Sequence, residues 1–221
     1  IIISDKFLGE SSANTNNLSK IKVKIDNGDI EIKPGQNFAR YKFTGNGVSL
    51  RTLPGTPDGQ FLANSYEHDE FGFATEDAIL SEKMFHKRMA KNKLAIKLAP
   101  KANIFSANSA KKLIISWGST KGPILEALKN LPHKDEYAFL QIKTLWPINP
   151  DIKLIIDNFK QVIVIENNGT SQLTTLLKSQ FNFNPTQIYL KNNGRPFFPE
   201  EIIKFLESRP VKGDVRRTEG L

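Results

Sequence analysis

The densest group of ionisable side chains in this 221-residue sequence is the tetrapeptide Glu67-His68-Asp69-Glu70. Carboxylates beside an imidazole can bind a divalent cation or transfer protons. Because neighbouring residues of an extended segment point in alternate directions, the four side chains cannot all converge on one ion. We therefore favour a polar loop that is held to its surroundings by charge-assisted hydrogen bonds. We predict neither a catalytic residue nor a metal site in this chain.

Two further polar loops could bind an anion. Gly118-Ser119-Thr120-Lys121-Gly122 and Glu166-Asn167-Asn168-Gly169 each lie where a strand is predicted to lead into a helix. Backbone N–H groups and hydroxyls at such places can hold a phosphate or a carboxylate. The first loop lacks the spacing of a Walker A or dinucleotide-binding motif, so the stronger alternative is that small residues simply make the turns. The candidate anion-binding residues are Ser119, Thr120, Lys121, Gly122, Asn167 and Asn168.

A basic helix is the third candidate. The pattern predicts a helix from about Thr75 to Leu98, with a hydroxyl cap and an apolar stripe. Residues 77–112 hold 9 basic and 2 acidic side chains, which accounts for most of the net charge of +8. Such a basic stripe is usually a solvated face, and the alternative is the docking of an acidic partner. The apolar residues are Leu80, Met84, Phe85 and Met89, and the basic residues are Lys83, Lys87, Arg88 and Lys91.

The composition excludes several classes of protein. The sequence contains no cysteine, which excludes disulfide bonds and cysteine-ligated zinc or iron–sulfur sites in this chain. No apolar run approaches the length that spans a bilayer. The basic segment lacks the aromatic stacking groups or reading helix that nucleic-acid binding would use. We expect a cytoplasmic protein that binds neither membranes nor nucleic acids.

The first half of the chain shows little regular pattern. Ile1-Ile2-Ile3 favours the end of a buried strand. Alternation of apolar and polar residues in 20–25 and 30–32, around Asn27-Gly28, predicts a β-hairpin. Residues 34–75 lack periodicity, and such a long irregular segment is uncommon in an isolated compact domain. We expect this leader to lie across another domain or subunit.

From residue 111 onward, buried strands alternate with loops and helices. Repeated units of this length favour an α/β fold, with a mostly parallel sheet and helices on both faces. The predicted strands are 113–117, 137–142, 161–165 and 186–190, and the predicted helices are 123–131, one from about 151, 171–180 and one from 199 to about 208.

Short motifs follow one another in a fixed order: Ser4-Asp5-Lys6-Phe7-Leu8-Gly9-Glu10, Pro54-Gly55-Thr56, Glu67-His68-Asp69-Glu70-Phe71-Gly72, Thr75-Glu76-Asp77, Met84…Lys87-Arg88, Trp117-Gly118-Ser119-Thr120, Pro147, Glu166-Asn167-Asn168…Gln172-Leu173 and Gly194-Arg195-Pro196-Phe197. Over most of residues 1–207 this order resembles the alpha subunit of 2-oxoacid:ferredoxin oxidoreductases, in the 2-oxoglutarate branch. The resemblance makes Glu67, His68, Asp69, Glu70 and Arg195 structural or interface residues. Ser171 departs from the family pattern, which usually has glycine before Gln172-Leu173.

The resemblance implies a division into domains. Residues 1–12 would end a truncated pyrimidine-binding domain, and residues 13–110 would be a linker with the hairpin and the long helix. Residues 111–208 would form a domain like the C-terminal domain of transketolase, and residues 209–221 a flexible tail. Such a domain serves assembly and orientation more than bond making.

The resemblance also implies an activity for the complete enzyme. The family converts a 2-oxoacid, coenzyme A and oxidised ferredoxin into an acyl-CoA, CO2 and reduced ferredoxin. We expect no cofactor in this chain, and thiamine diphosphate, Mg²⁺ and a [4Fe–4S] cluster in the complete complex. The implied partners are the beta subunit, ferredoxin through the complex, and further copies in an oligomer. The isolated chain is expected to be inactive. The six candidate anion-binding residues become candidates for contact with coenzyme A: Ser119, Thr120, Lys121, Gly122, Asn167 and Asn168.

Two alternatives stay open. The chain could be the C-terminal domain of another thiamine diphosphate enzyme, either a transketolase or the beta subunit of a 2-oxoacid dehydrogenase. The long leader from Pro54 to Asp77 argues against this alternative. The chain could also be a non-enzymatic module that binds an anionic partner through residues 77–112, in which case salt would weaken that binding steeply.

Overall fold

The computed structural model describes residues 3–12, 14–15, 18–20, 22, 24–106, 109–208 and 214–217. The chain divides into two compact units. We call residues 1–13 and 100–221 the sheet unit, and residues 14–99 the leader unit. The described helices, numbered along the chain, are α1 (Lys6–Glu10), α2 (Ala78–Leu98), α3 (Lys121–Asn130), α4 (Asp151–Asp157), α5 (Gln172–Phe181) and α6 (Pro199–Glu207).

The sheet unit contains a six-stranded sheet with the order β1-β3-β2-β4-β5-β6. Only β1 is antiparallel to its neighbour, and the other pairings are parallel. The sheet therefore confirms the predicted α/β class. Its strands are β1 (Asn103–Ser106), β2 (Lys112–Trp117), β3 (Tyr137–Ile142), β4 (Gln161–Glu166), β5 (Gln187–Leu190) and β6 (Asp214–Arg217).

Each face of the sheet has its own apolar core. Successive residues of a strand point to opposite faces, and Ile114 and Ile115 of β2 accordingly belong to different cores. One core is completed by residues of α4 and α5, and the other by residues of α3 and α6. Helices on both faces, as predicted, are the arrangement that buries a mostly parallel sheet.

Two edge strands were not predicted from the sequence. Residues 103–106 were placed in a linker and residues 214–217 in a flexible tail, yet β1 pairs with β3 and β6 pairs with β5. Both strands are four residues long, and Ile104 of β1 is 48% exposed. A strand this short and this exposed is held mainly by backbone hydrogen bonds to its neighbour, which leave little trace in the pattern of apolar residues.

The predicted hairpin is wrong over the residues that the structure describes, 20, 22 and 24–32. The turn exists, because Gly28 has φ 71° and its N–H donates to the Asp26 carboxylate at 2.8 Å. The residues after the turn, however, bond to Arg51: the N–H of Glu31 donates to its carbonyl at 2.9 Å. Ile25 and Ile32 are 76% and 75% exposed, so the alternating pattern buries no apolar face.

The start of the chain also differs from the prediction. Ile1 and Ile2 lie outside the described residues, and Ile3 is in no strand and is 90% exposed. The short helix α1 follows, and the Asp5 carboxylate accepts from the N–H of Leu8 at 2.7 Å at its first turn. These residues are grouped with the sheet unit.

The long helix α2 confirms the prediction for residues 75–98, with two corrections. Its cap is Asp77, whose carboxylate accepts from the N–H of Leu80 at 2.6 Å, and not the hydroxyl of Thr75. Of the predicted apolar stripe only Met84 is fully buried, at 2% exposure, whereas Phe85 and Met89 are 51% and 43% exposed. Phe85 and Met89 lie on another side of the helix from Met84, because each residue turns the helix by about 100°.

Candidate functional site

A cleft of about 220 Å³ lies at the carboxyl ends of β2 and β4. In a parallel sheet, ligands usually bind at this edge. The cleft brings together residues from both predicted anion loops. It also includes three residues from outside these loops, Asp5, Trp117 and Gln172, which the sequence did not suggest as part of an anion site. The lining residues are Asp5, Trp117, Gly118, Ser119, Thr120, Asn167, Asn168 and Gln172.

The loop after β2 is fixed by internal hydrogen bonds. Gly118 has φ 63°, a left-handed conformation that glycine adopts without steric cost. The hydroxyl of Thr120 donates to the carbonyl of Trp117 at 2.6 Å. The buried hydroxyl of Ser116 donates across to the carbonyl of Ile165 at 2.6 Å, which joins β2 to the end of β4. Thr120 thus uses its hydroxyl to shape the turn.

The loop after β4 is organised by Glu166, which is fully buried. One carboxylate oxygen accepts from the N–H of Leu173 at 2.7 Å and from the side chain of Asn168 at 2.8 Å. The other accepts from the N–H and the hydroxyl of Thr174, both at 3.0 Å. A carboxylate at the first turn of a helix satisfies its free N–H groups and the positive end of its dipole. Glu166 therefore caps α5 from the end of β4.

Ser171, the residue that departs from the family pattern, precedes α5 in a left-handed conformation with φ 54° and ψ 48°. Only glycine adopts this conformation freely. The structure thus gives a physical reason for a glycine at this position, although the helix still begins normally at Gln172.

Only part of the predicted anion set lies in the cleft. Ser119, Thr120, Asn167 and Asn168 line it, whereas Lys121 and Gly122 do not. The ammonium of Lys121 lies 5.9 Å from the ring centroid of Phe105 instead. No lysine or arginine is among the described lining residues, so the geometry favours the alternative in which small residues make the turns. Binding of an anion or coenzyme A by the four cleft residues stays a prediction.

The acidic tetrapeptide forms a polar loop in the leader unit. Glu67 accepts from both terminal nitrogens of Arg88, at 2.8 and 2.6 Å, and these bonds lower the pKa of its carboxyl group. Asp69 accepts from the N–H groups of Phe71 and Phe73, at 2.8 and 3.0 Å. Glu70 accepts from the N–H of Phe43 at 2.8 Å. These contacts agree with the predicted loop that charge-assisted hydrogen bonds hold in place.

His68 completes the loop without joining a metal cluster. Its Nδ1 lies 2.8 Å from the carbonyl oxygen of Asp69, and its ring lies against Tyr41 with 4.1 Å between centroids. Among the residues that the structure describes, no three His, Cys, Asp or Glu side chains are placed to hold a metal ion.

Arg195 is exposed, and its backbone N–H donates to the Asn193 side chain at 3.2 Å.

A buried ion pair that was not predicted lies close to Arg195 in the sequence. Lys191, at 1% exposure, contacts both carboxylate oxygens of Glu201 at 2.7 Å, and Glu201 also accepts from the N–H of Phe198. The signal in the sequence was a lysine directly after a predicted strand and a glutamate in the first turn of the next helix.

The basic residues of α2 do not share one solvent-facing surface. Lys83 and Lys91 are exposed, Arg88 is bonded to Glu67, and Lys87 is only 9% exposed. Burial, followed by repulsion from Lys91, Arg40 and Arg88, lowers the pKa of Lys87, and Glu70 opposes this change.

Within the described residues, no helix is long and apolar enough to cross a membrane.

Known proteins resemble this chain over most of its length, although no protein-family model matches it. It is 33% identical over 209 residues, 91% of the chain, to "2-oxoacid:ferredoxin oxidoreductase 2, subunit alpha" of Aeropyrum pernix. It is 31% identical over 200 residues, 88% of the chain, to the corresponding alpha subunit of Saccharolobus solfataricus. The matches cover 32% and 31% of these relatives, so the chain spans about a third of their length.

A solved structure shows the same relationship. The 2-oxoglutarate:ferredoxin oxidoreductase of Magnetococcus marinus, described with 2-oxoglutarate, coenzyme A and succinyl-CoA bound, matches with a TM-score of 0.75 and 29% identity. The match covers 83% of this chain and 32% of that one.

Proposed function

Because this chain is homologous to part of the alpha subunit of 2-oxoacid:ferredoxin oxidoreductases, we propose that it is a segment of such a subunit. The complete enzyme would oxidatively decarboxylate a 2-oxoacid. The products would be an acyl-CoA and CO2, with the two electrons passed to ferredoxin. The match over nine-tenths of this chain is the observation that carries the proposal.

Within that enzyme, we propose that the segment serves assembly and orientation and not bond making. The most buried acid at the carboxyl edge of the sheet, Glu166, accepts four internal hydrogen bonds and caps α5. Both oxygens of this carboxylate are thus already used within the chain, where they fix the start of α5. The hydroxyls of Ser116 in β2 and of Thr120 in the first loop also donate within the chain.

The leader unit supports the role in assembly. It exposes many large apolar side chains, whereas monomeric soluble proteins seldom expose extended apolar surface without a binding role. We propose that part of this surface contacts the rest of the enzyme, as the sequence predicted for the irregular leader. The side chains that are at least 40% exposed between residues 50 and 98 are Leu50, Leu53, Phe61, Leu62, Tyr66, Phe71, Phe73, Ile79, Phe85, Met89 and Leu98.

The cofactors would belong to other parts of the complex. A [4Fe–4S] cluster is usually held by four cysteine thiolates, and this sequence has none, so its residues do not fit the cluster. We propose that a beta subunit contributes the cluster and the site for thiamine diphosphate and Mg²⁺. We also propose that ferredoxin is reduced through the complex, and that the enzyme is an oligomer in the cytoplasm.

Reconstitution tests the proposal. The purified chain should give no acyl-CoA from 2-oxoglutarate or pyruvate with coenzyme A and oxidised ferredoxin, whereas the complete alpha subunit with its partner should turn over one of them. Comparing the two 2-oxoacids also tests the 2-oxoglutarate branch. Turnover by the isolated chain, or none by a properly assembled complex with any 2-oxoacid, would contradict the proposal.

A further inference from the structure

Lys87 is a buried lysine with no anion beside it among the described residues. Its side chain is nine-tenths buried, with 9% exposure, in the middle of α2. Across the described part of the chain, its ammonium has no hydrogen-bond acceptor and no ion pair within 4.0 Å. Burying an unpaired charge is costly, and buried charges in proteins are normally paired.

The surroundings of Lys87 increase this cost. Lys91, Arg40 and Arg88 are the neighbouring cations, and all three act against its charge. Arg88 is compensated by Glu67 at 2.6 Å, but Lys91 and Arg40 form no ion pair in the described residues. Glu70 favours the charge of Lys87, but one of its oxygens is already bonded to the N–H of Phe43. In the part of the chain that the structure describes, Lys87, Lys91 and Arg40 thus lack an anion of their own.

Exposed apolar groups lie beside one of these cations, Arg40. The guanidinium of Arg40 lies 5.6 Å from the ring centroid of Phe61 and donates to the carbonyl of Leu50 at 3.3 Å. Phe61 and Leu50 are 44% and 43% exposed. Arginine beside aromatic and aliphatic surface is typical of protein–protein interfaces. We call Arg40, Leu50, Phe61, Lys87 and Lys91 the Lys87 surface.

We propose that the Lys87 surface docks an acidic segment of the partner subunit, with a carboxylate of that subunit pairing with Lys87. This inference rests on the proposed function, because it takes the partner from the oxidoreductase complex. Charge complementarity selects an acidic partner, and the apolar flank favours a protein segment over a small free anion. The docked carboxylate supplies the negative charge that Lys87 lacks among the described residues.

The binding test compares two lysines of one helix. In the complete alpha subunit, Lys87→Gln is measured against the partner subunit, with Lys83→Gln as the matched control because Lys83 is exposed four residues earlier. Lys87→Gln should weaken binding about 30-fold and flatten its dependence on salt, as expected when one member of a buried charge pair is removed. Lys83→Gln should bind as the unchanged subunit does.

The outcomes separate this inference from the proposed function. If the unchanged subunit and both variants bind the partner equally, the function stands and the Lys87 surface is not the docking site. If the unchanged subunit binds no partner, the proposed function fails and this inference fails with it.

A stability measurement shows whether weaker binding by a Lys87 variant comes from the lost charge or from misfolding. In the isolated 221-residue chain, Lys87→Met removes an unpaired charge and keeps the length of the side chain, so Tm should rise by about 2–4 °C. A lower Tm would show that the ammonium is satisfied within the chain, which overturns the inference. Inorganic phosphate should leave Tm unchanged, whereas stabilisation that disappears in Lys87→Met would assign the site to a small anion instead.

Discussion

Apart from Met84, every hydrophobic side chain that is buried in the described residues lies in the sheet unit. The buried residues of the leader unit are otherwise polar or small, among them Ser49, Thr52 and Lys87. Burial of apolar surface is the main force that stabilises a folded domain. The two units therefore owe their order to different interactions, and the leader unit has little apolar core of its own.

Side-chain hydrogen bonds to the backbone replace that core in the leader unit. The hydroxyl of Thr52 donates to the carbonyl of Gly59 at 2.6 Å, and that of Ser49 donates to the carbonyl of Lys42 at 2.8 Å. Such a bond contributes only about 1 kcal/mol. A segment that is stabilised in this way gains most from a neighbouring surface, which is consistent with the proposed role in assembly.

The largest effect is expected in the sheet unit, from Glu166→Ala. The change leaves the N–H groups of Leu173 and Thr174 buried without an acceptor. Each buried N–H group without an acceptor costs about 1–3 kcal/mol, so the free energy of unfolding, measured by urea denaturation, should fall by about 4 kcal/mol. Glu166→Gln keeps one acceptor oxygen and should lose less. A loss below about 1 kcal/mol for Glu166→Ala would show that the apolar cores alone fix α5.

The second effect concerns the close approach of a turn to α2. Gly47 has φ 76°, and a Cβ there would overlap the backbone carbonyl of Lys87. Gly47→Ala should cost about 3 kcal/mol, and hydrogen exchange of the α2 amides should accelerate. Gly55 is the matched control, because it has φ 85° but nothing within 4 Å of its Cβ position. Gly55→Ala should lower the free energy of unfolding by only about 1–2 kcal/mol, which is the cost of a left-handed backbone conformation at a residue with a Cβ. Equal costs for the two variants would contradict the argument.

The smallest effect comes from the ion pair of the leader unit. Hydrogen bonds from Arg88 lower the pKa of Glu67 below its ordinary 4.5 in the folded state. The folded form therefore binds this proton less readily than the unfolded form, so the stabilisation is present above pH 4.5 and disappears as pH falls through the lowered pKa.

Because the side chains of Arg88 and Glu67 are 46% and 24% exposed, the ion pair should contribute about 0.5 kcal/mol to the free energy of unfolding. Glu67→Gln should flatten the decrease of Tm between pH 6 and pH 3, and Glu76→Gln, at an exposed position, should not. An unchanged slope in Glu67→Gln would mean that the pair adds no stability.

The pattern of apolar residues predicted the central strands β2 to β5 and the helices between them, because these elements are buried and carry continuous apolar runs. It failed for the hairpin around Gly28, where Arg51 provides the backbone partner, and for Phe85 and Met89, which stay exposed. The two loops do follow β2 and β4, but anion binding there stays a prediction. The side chains of Thr120 and Asn168 form hydrogen bonds within these loops, and the ammonium of Lys121 lies near the ring of Phe105.

The sequence by itself determined the α/β class, the position of both loops at the ends of strands, and the absence of cysteine ligands. These properties follow from local periodicity and composition, which need no knowledge of distant contacts. Only the tertiary structure decided that Glu166 caps α5, that Lys191 pairs with Glu201, and that Lys87 is buried with no anion among the described residues. Burial and the choice of partners depend on how separate strands, loops and helices pack together, which local periodicity does not show. The environment of a charged group then decides whether its charged form is stabilised.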